Sequence, residues 1–255
     1  MNNIAKFKEE IIIKDQLNLF QKFLRKFEKL ELLVPKQIRV PFRYFAQKFL
    51  GALEPEMKFL KSLSGPGKLV LDIGANRGIY AYALSKIAEK VVCFEPIPEC
   101  SKYIRDFKSN KIEVISVALS DKPGKLEFYI PILKGRLTLT RASLAKPDPP
   151  FESIQVEIRT LDSYDFPKID FIKIDVEGFE AKVLQGGMNT LKRWTPNLLI
   201  EIDLRRISVD SFLWIFDELA KIGYVPYTVK SGKLTICPDP LTEAKVNYNF
   251  IFKKK

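Results

Sequence analysis

Residues 69–78, with the sequence LVLDIGANRG, constrain the fold of this chain more than any other stretch. A short apolar run ends in Asp72, a turn then holds Gly74 and Gly78, and apolar residues recur at helical spacing from Ile79 onward. This order predicts a buried strand, a glycine turn and a helix that packs on a sheet. Glycine lets the backbone approach a ligand closely, and the start of a helix directs unpaired amides at the turn. The stretch therefore predicts a cradle for a nucleotide-like ligand.

The spacing of this turn separates two classes of ligand. It reads Asp-x-Gly-x-x-x-Gly and not the Gly-x-Gly-x-x-Gly of dinucleotide sites, and an acid at the strand end would repel a pyrophosphate. A ligand that carries an amine together with a carboxylate fits better, and S-adenosylmethionine has both. A second apolar run ends in Glu95, about 20 residues after the turn, where an acid usually binds ribose hydroxyls. Together the two strand ends predict an adenosyl pocket, although either acid alone would also fit a solvated strand end.

Composition excludes several kinds of chemistry. The 255 residues include no histidine, so a Ser-His-Asp or Cys-His triad is impossible and a general base must be Asp, Glu, Lys or Tyr. The three cysteines have no paired spacing and do not cluster with carboxylates, which indicates a reducing compartment and no zinc site. The formal net charge of +11 favours acidic partners without choosing between a phosphorylated acceptor, an anionic membrane and nucleic acid. No apolar run is long enough for a transmembrane helix or a signal sequence, so we expect a cytoplasmic protein.

The first 67 residues read as a helical extension, and residues 68–255 as one α/β domain. Residues 13–33 have the spacing of an amphipathic basic helix, and residues 42–63 read as a second helical segment. Two interpretations stay open for them. Both could pack on the domain and solvate their lysines, or they could form a cap over the acceptor that also touches an anionic membrane surface, which would make the protein peripheral at the inner membrane.

Strands and helices alternate after Glu95, which predicts right-handed crossovers and a parallel sheet covered by helices on both faces. The predicted elements are a helix at 99–110, a strand at 112–119, an antiparallel pair at 125–130 and 154–158, a helix at 208–222 and late strands at 224–229, 234–237 and 248–252. Residues 131–152 separate the antiparallel pair and hold four prolines. A loop of that length predicts a lid over the acceptor, with a linker of no function as the alternative.

A second informative stretch is an apolar run at 169–178 that becomes charged at its carboxyl end. Lys173, Asp175 and Glu177 recur at period two and so lie on one face of a strand, at the end of an α/β sheet where ligands bind. Burying three charges is costly unless they pair with each other or with a ligand, and a sulfonium beside two carboxylates would satisfy them. The alternative is a structural Lys173–Asp175 pair followed by a helix. One strand later, residues 197–203 repeat the pattern and end in Glu201 and Asp203.

From about residue 69 to residue 203, the chain resembles the FkbM-type methyltransferases, a branch of the class I S-adenosylmethionine-dependent enzymes. The matching motifs are LDIGAN at 71–76 with Gly78, FEP at 94–96, ALSD at 118–121, TLD at 160–162 and, most specifically, DFIKIDVEG at 170–178. The resemblance implies a Rossmann-like fold, with a seven-stranded and mostly parallel sheet whose last strand is antiparallel. It also implies O-methylation of sugar or polyketide hydroxyls. Many relatives carry a histidine near Asp203, where this chain has none.

The resemblance also assigns residues to parts of the cofactor. Asp72, Gly74 and Asn76, with Gly78 in the same turn, would lie at the methionine portion, and Glu95 would bind the ribose. Pro96 and Ala118 would lie near adenine. We also assign Asp175 to the cofactor site because of its position at the strand end.

Our hypothesis for function is an O-methyltransferase that uses S-adenosylmethionine and releases S-adenosylhomocysteine. Asp175 would accept the proton of the acceptor hydroxyl, and Glu177 and Glu201 are the alternative proton acceptors. Lys173 would hold the carboxylate in place or lower the pKa of the acceptor oxygen. From the positive charge we expect a small-molecule or glycan acceptor that is anionic or linked to a lipid carrier. One alternative is a methyltransferase that depends on a divalent cation held by Asp175, Glu201 and Asp203, although we do not expect a cation. The others are a cofactor-binding protein without turnover and a nucleic-acid methyltransferase, for which the sequence has no recognisable RNA module.

Overall fold

The computed structural model describes residues 30, 31, 33–133, 136, 137 and 150–254. The strands in chain order are β1 (Leu69–Ile73), β2 (Lys90–Phe94), β3 (Ile112–Ile115), β4 (Ala118–Leu119), β5 (Gly124–Leu133), β6 (Arg136–Leu137), β7 (Phe151–Arg159), β8 (Phe171–Ile174), β9 (Asn197–Glu201), β10 (Tyr224–Lys230), β11 (Lys233–Ile236) and β12 (Asn249–Lys254). The α-helices are α1 (Arg39–Phe49), α2 (Leu60–Leu63), α3 (Ile79–Ser85), α4 (Pro98–Asp106), α5 (Glu180–Gln185), α6 (Met188–Trp194), α7 (Val209–Lys221) and α8 (Pro240–Glu243).

The main sheet confirms the predicted α/β class, with one strand more than the resemblance implied. Its order is β11-β10-β12-β9-β8-β1-β2-β3, and the pairs from β9 to β3 are parallel. The strand β12 is antiparallel to both of its neighbours, as expected for the last strand. The count of seven is wrong because Ser231 and Gly232 both have positive φ and form a two-residue hairpin turn, which adds β11 at the edge.

A second, smaller sheet has the order β4-β7-β5-β6. The predicted antiparallel pair is confirmed, since β5 and β7 pair from Gly124 to Pro131. The single strand predicted at 112–119 is wrong because it divides between the sheets. The strand β3 ends its pairing with β2 at Ile115, and Ala118 and Leu119 pair with β7 instead. The predicted loop at 131–152 is shortened at both ends, and its middle lies outside the described residues.

The N-terminal extension departs from the second predicted helix. The segment at 42–63 is not continuous, because α1 ends at Phe49, Gly51 adopts the left-handed region at φ +64° and a short 3-10 helix starts at Pro55. The amphipathic helix predicted at 13–33 lies outside the described residues except for its last few positions. Within the described ranges, no helix has the length and apolarity needed to cross a membrane.

The pleat of the central strands decides which side chains meet under α3. Because side chains alternate across a strand, Asp72 lies on the same face as Val70, and Lys173 on the same face as Phe171. Val70 and Phe171 belong to the buried cluster that packs against Tyr80 and Ala81 of α3. The register pairs Asp72 with Lys173 directly across β1 and β8. The sheet therefore buries an acid and a base side by side beneath the helix that follows the glycine turn.

Candidate functional site

The glycine turn joins the ends of three central strands. Gly74, Asn76 and Gly78 all have positive φ, at 78°, 49° and 76°. The amide of Gly74 donates to the carbonyl of Phe94 at the end of β2 over 2.9 Å. A Cβ atom on Gly74 would lie 1.8 Å from the carbonyl oxygen of Asp175, which follows β8. Only glycine fits this approach to the backbone of Asp175, and the role of the turn as a cradle for a ligand stays a prediction.

Asp72 lies behind this cradle. Its side chain is fully buried, and neither carboxylate oxygen has a hydrogen-bond partner among the described residues. The amide of Ala81 gives a favourable electrostatic interaction without reaching hydrogen-bonding geometry. Burial raises the pKa of Asp72 to about 6, and Lys173 opposes the shift from 3.8 Å away. Asp72 therefore interacts with the site through its negative charge, and its nearest cation is Lys173.

Lys173 is a buried cation at the centre of the site. Its Nζ atom lies 3.0 Å from Oδ2 of Asp175, 3.4 Å from the carbonyl oxygen of Gly74 and 5.0 Å from the ring centroid of Tyr80. Burial alone would lower the pKa of Lys173, but Asp175 and Asp72 outweigh it and raise the pKa above its ordinary value. The lysine therefore stays charged, and the predicted Lys173–Asp175 pair forms.

Glu95 is held by backbone amides at the end of β2. Its Oε2 atom accepts from the amide of Asn76 over 2.7 Å, and Oε1 accepts from the amide of Ile97 over 2.9 Å. Burial raises the pKa of Glu95 to about 7, and the two amides oppose the shift. Each carboxylate oxygen keeps a second lone pair. The carboxylate is thus fixed in orientation and retains acceptor capacity for a pair of hydroxyls.

Two cavities meet at the glycine turn. The first has about 600 Å³ of space and is lined by Glu95, with Pro96, Ala118, Phe128 and Glu177 among its other walls. The second has about 660 Å³ and carries both signs of charge, from Arg43, Glu54, Arg77 and Lys173 among its lining residues. Both cavities are lined by Gly74, Asn76 and Asp175. A single elongated ligand with one apolar end and one zwitterionic end would fit across them.

Of the expected cofactor residues, the structure brings Gly74, Asn76, Glu95, Pro96, Ala118 and Asp175 to the cavity walls. Asp72 and Gly78 line neither of the two cavities. Gly78 instead starts α3, and a Cβ atom there would lie 3.0 Å from Ile104. Asp72 and Gly78 therefore contribute to the site indirectly, Asp72 through its ion pair with Lys173 and Gly78 through the packing of α3.

The expected acidic candidates are largely engaged with arginines. Arg206 contacts Glu177 and Glu201 through the same Nη1 atom, and Arg205 binds the carboxylate of Asp203 at distances down to 2.6 Å. Glu177 lines the first cavity, whereas Glu201 lines neither of the two. No group of three His, Cys, Asp or Glu side chains in the described ranges could hold a metal ion. Arg205 contacts Asp203 and Arg206 contacts Glu201, which are two of the three ligands named for a divalent cation, and the expectation that no cation is needed stays a prediction.

Sequence reasoning missed a hydrogen-bonded group at the second cavity, which Glu54 and Tyr80 line. Tyr80 donates to Glu54 over 2.5 Å, and the side-chain amide of Asn249 donates to the same Glu54 oxygen over 3.2 Å. These three residues come from separate parts of the chain, so no local pattern links them. Arg206 was also missed, although its position shortly after Glu201 and Asp203 was a usable signal.

The sequence comparisons identify one family of known proteins. The model of the methyltransferase FkbM domain matches residues 72–226. A curated relative, the 2-O-methyltransferase NoeI of Sinorhizobium fredii, is 28% identical over 187 residues, which cover 64% of this chain and 75% of the relative. Among solved structures, a methyltransferase FkbM from Methylobacillus flagellatus aligns with TM-score 0.49 and 15% identity, over 91% of this chain and 59% of that one. A TehB-like SAM-dependent methyltransferase from Corynebacterium glutamicum aligns with TM-score 0.43 and 14% identity, over 83% and 96%.

Proposed function

This chain belongs to the methyltransferase FkbM domain family, and on that premise we propose that it transfers the methyl group of S-adenosylmethionine to a hydroxyl of a sugar or glycan acceptor. Family membership makes it a methyltransferase. We propose in addition that the cofactor is S-adenosylmethionine, that the methyl group goes to an oxygen atom and that the acceptor is a sugar or glycan. The name of the relative NoeI, a 2-O-methyltransferase, supports an oxygen acceptor.

The observation that carries the cofactor proposal is the meeting of the two cavities at Gly74. The first offers a fixed carboxylate, Glu95, beside the apolar walls of Pro96 and Ala118, which suits a ribose and an adenine. The second offers cations and anions together, which suits an amino group and a carboxylate on one carbon. The missing Cβ of Gly74 lets the backbone of Asp175 lie against the turn, so that Gly74 and Asp175 together line both cavities. The lining of the two cavities therefore supports S-adenosylmethionine as the cofactor.

When bound, S-adenosylmethionine supplies an electrophilic methyl group on a sulfonium, and the chain supplies position and charge. Asp175 lies at the junction of the cavities with its side chain 25% exposed, and Lys173 fixes it there. The negative charge of Asp175 would orient the sulfonium. Because that charge is already paired with Lys173 at 3.0 Å, we now favour an orienting role for Asp175 over the proton-accepting role expected first.

The test combines calorimetry with a transfer assay. S-Adenosylhomocysteine should bind to the full chain, and tritiated S-adenosylmethionine should label at least one member of a panel of methyl glycosides. Asp175→Asn should lower the rate of transfer by about tenfold or more, because it removes the negative charge that would orient the sulfonium, and a tenfold change corresponds to about 1.4 kcal/mol. The matched control is Asp165→Asn, whose side chain is 94% exposed. Absence of heat with the wild-type chain would refute the cofactor proposal, and labelling confined to nucleic acid would refute the acceptor class.

A further inference from the structure

Arg206 gathers the acids that follow β8 and β9. Its Nη1 atom contacts Oε2 of Glu177 and lies 3.1 Å from Oε1 of Glu201. Its Nε atom is 3.8 Å from Asp203, but Asp203 already receives bonds from the Arg205 side chain over 2.6–2.9 Å. We call Glu177, Glu201 and Arg206 the Arg206 cluster. It holds two carboxylates for one guanidinium.

The backbone conformation around Glu177 supports its contact with Arg206. Glu177 adopts φ +59°, in the left-handed region that is unfavourable for a residue with a side chain. Gly178 follows at φ +105°, and a Cβ atom there would lie 3.2 Å from the carbonyl oxygen of Arg206. The two loops therefore press together at Gly178. That packing directs Glu177 both to Arg206 and to the wall of the first cavity.

The charge of the Arg206 cluster leaves a place for one proton. Two carboxylates and one guanidinium carry a net charge of −1, and two neighbouring buried carboxylates do not both ionise freely. Burial raises the pKa of Glu177 to about 7 and that of Glu201 to about 8, with Asp175 among the further causes in both cases. The other charged or titratable groups facing them are Lys173, Glu180, Arg205 and Tyr248. Lys173 favours the ionised carboxylates, and Glu180 disfavours an ionised Glu177.

We propose that Glu177 takes the proton of the acceptor hydroxyl, and that Arg206 and Glu201 are positioning residues that hold Glu177 at the cavity and share the proton with it. This inference rests on the proposed methyl transfer. The acceptor oxygen gains the methyl carbon, the electron pair of the broken carbon–sulfur bond stays on sulfur, and the hydroxyl proton passes to Glu177. Glu177 lines the first cavity two residues after Asp175, which lies where the two cavities meet, and it shares the single guanidinium of Arg206 with Glu201.

A titration tests the cluster without any acceptor. The carboxyl carbons of ¹³C-glutamate-labelled full chain are followed by NMR against pH, with Glu177→Gln and Glu201→Gln used for assignment. In the wild-type chain both glutamates should titrate well above 4.5, and Glu201→Gln should lower the midpoint of Glu177 because a like charge is removed. Arg206→Met should raise both midpoints, and Arg206→Lys should restore them in part. Two independent midpoints near 4.5 would overturn the inference.

A transfer assay tests the catalytic role on any methyl glycoside that the wild-type chain methylates. Glu177→Gln should lower the rate about 100-fold or more while S-adenosylhomocysteine affinity stays within about twofold. Glu201→Gln should mainly move the midpoint of the pH–rate profile to lower pH. The control is Glu113→Gln, an exposed acid paired with Lys90. A Glu177→Gln rate within about threefold of wild type would refute the proposal, whereas absence of S-adenosylhomocysteine binding to the wild-type chain would refute the proposed function and leave the titration result standing.

Discussion

Replacing Gly74 by alanine tests the idea that the glycine turn is a rigid cradle. Gly74 has φ +78°, a conformation that costs an L-residue about 1–2 kcal/mol. The added Cβ would also lie 1.8 Å from the carbonyl oxygen and 2.8 Å from the carbonyl carbon of Asp175, so backbone must move. Overpacking of this kind costs about 1–3 kcal/mol more. The expected loss in the free energy of unfolding is therefore about 2–5 kcal/mol.

Thermal unfolding and calorimetry with S-adenosylhomocysteine measure the two consequences. For a chain of this size, each kcal/mol lowers Tm by about 2–4 °C, so Gly74→Ala should lower Tm by at least about 4 °C. Because the displaced backbone lines both cavities, the affinity for S-adenosylhomocysteine should also fall by about tenfold or more.

Gly232→Ala is the matched control for this substitution. Gly232 has a similar φ of +72°, but a Cβ atom there would meet nothing within 4 Å. It sits in the β10–β11 hairpin, at the edge of the sheet. Gly232→Ala should therefore show the conformational cost alone, about 1–2 kcal/mol, with unchanged S-adenosylhomocysteine affinity. Equal losses of stability in both variants, together with normal ligand affinity in Gly74→Ala, would refute the reasoning.

Three further substitutions probe single contacts. Glu95→Gln replaces a carboxylate oxygen, which accepts a hydrogen bond from a backbone amide, by an NH₂ group, which can only donate. The affinity for S-adenosylhomocysteine in calorimetry should fall by about tenfold or more, and an unchanged affinity would contradict the ribose assignment. Lys173→Met should cost about 3–5 kcal/mol in denaturant unfolding, because it leaves Asp72 buried without its cation. Lys173 holds the pKa of Asp72 down to about 6, so removing the lysine should raise that pKa further. The deficit of Lys173→Met should therefore grow as pH rises from about 6 to 8, where the wild-type carboxylate is ionised and that of the variant resists ionisation. Tyr224→Phe should cost about 1–3 kcal/mol, because the buried carbonyl of Pro196 loses a 2.6 Å hydrogen bond; a change below about 0.5 kcal/mol would mean that the carbonyl finds another donor.

Features that depend on neighbouring residues in the chain were predictable from sequence. The apolar run before Asp72 and the glycine spacing specify a strand and a turn locally, and Ser208 caps α7 as the start of the predicted helix at 208–222. The period-two charges at Lys173 and Asp175 likewise follow from the pleat. These patterns fix the class of fold and the edge of the sheet that carries the site.

Several features that depend on contacts between distant parts of the chain were not predictable. The side chains of Glu54 and Asn249 form a hydrogen bond although they lie 195 positions apart in the chain, and no local sequence pattern predicts this contact. The division of the strand predicted at 112–119 depends on the pairing of β4 with β7, a partner about 40 residues away. The position of Arg206 after Glu201 and Asp203 suggests a contact with those acids, but its contact with Glu177 depends on the packing of the loop after β9 against Gly178.

The register of β1 against β8 explains why the motif acid Asp72 sits outside the cavities. Directly opposite Lys173, its buried charge opposes the loss of the lysine proton that burial would otherwise favour. The lysine therefore presents a fixed positive charge to the second cavity and a fixed counter-charge to Asp175. A ligand entering that cavity meets this ordered pair, and no solvent reorganisation is needed to create it. Shifting the register by one residue would move Lys173 to the opposite face, so the polarity of the second cavity is specified by strand pairing as much as by the residues that line it.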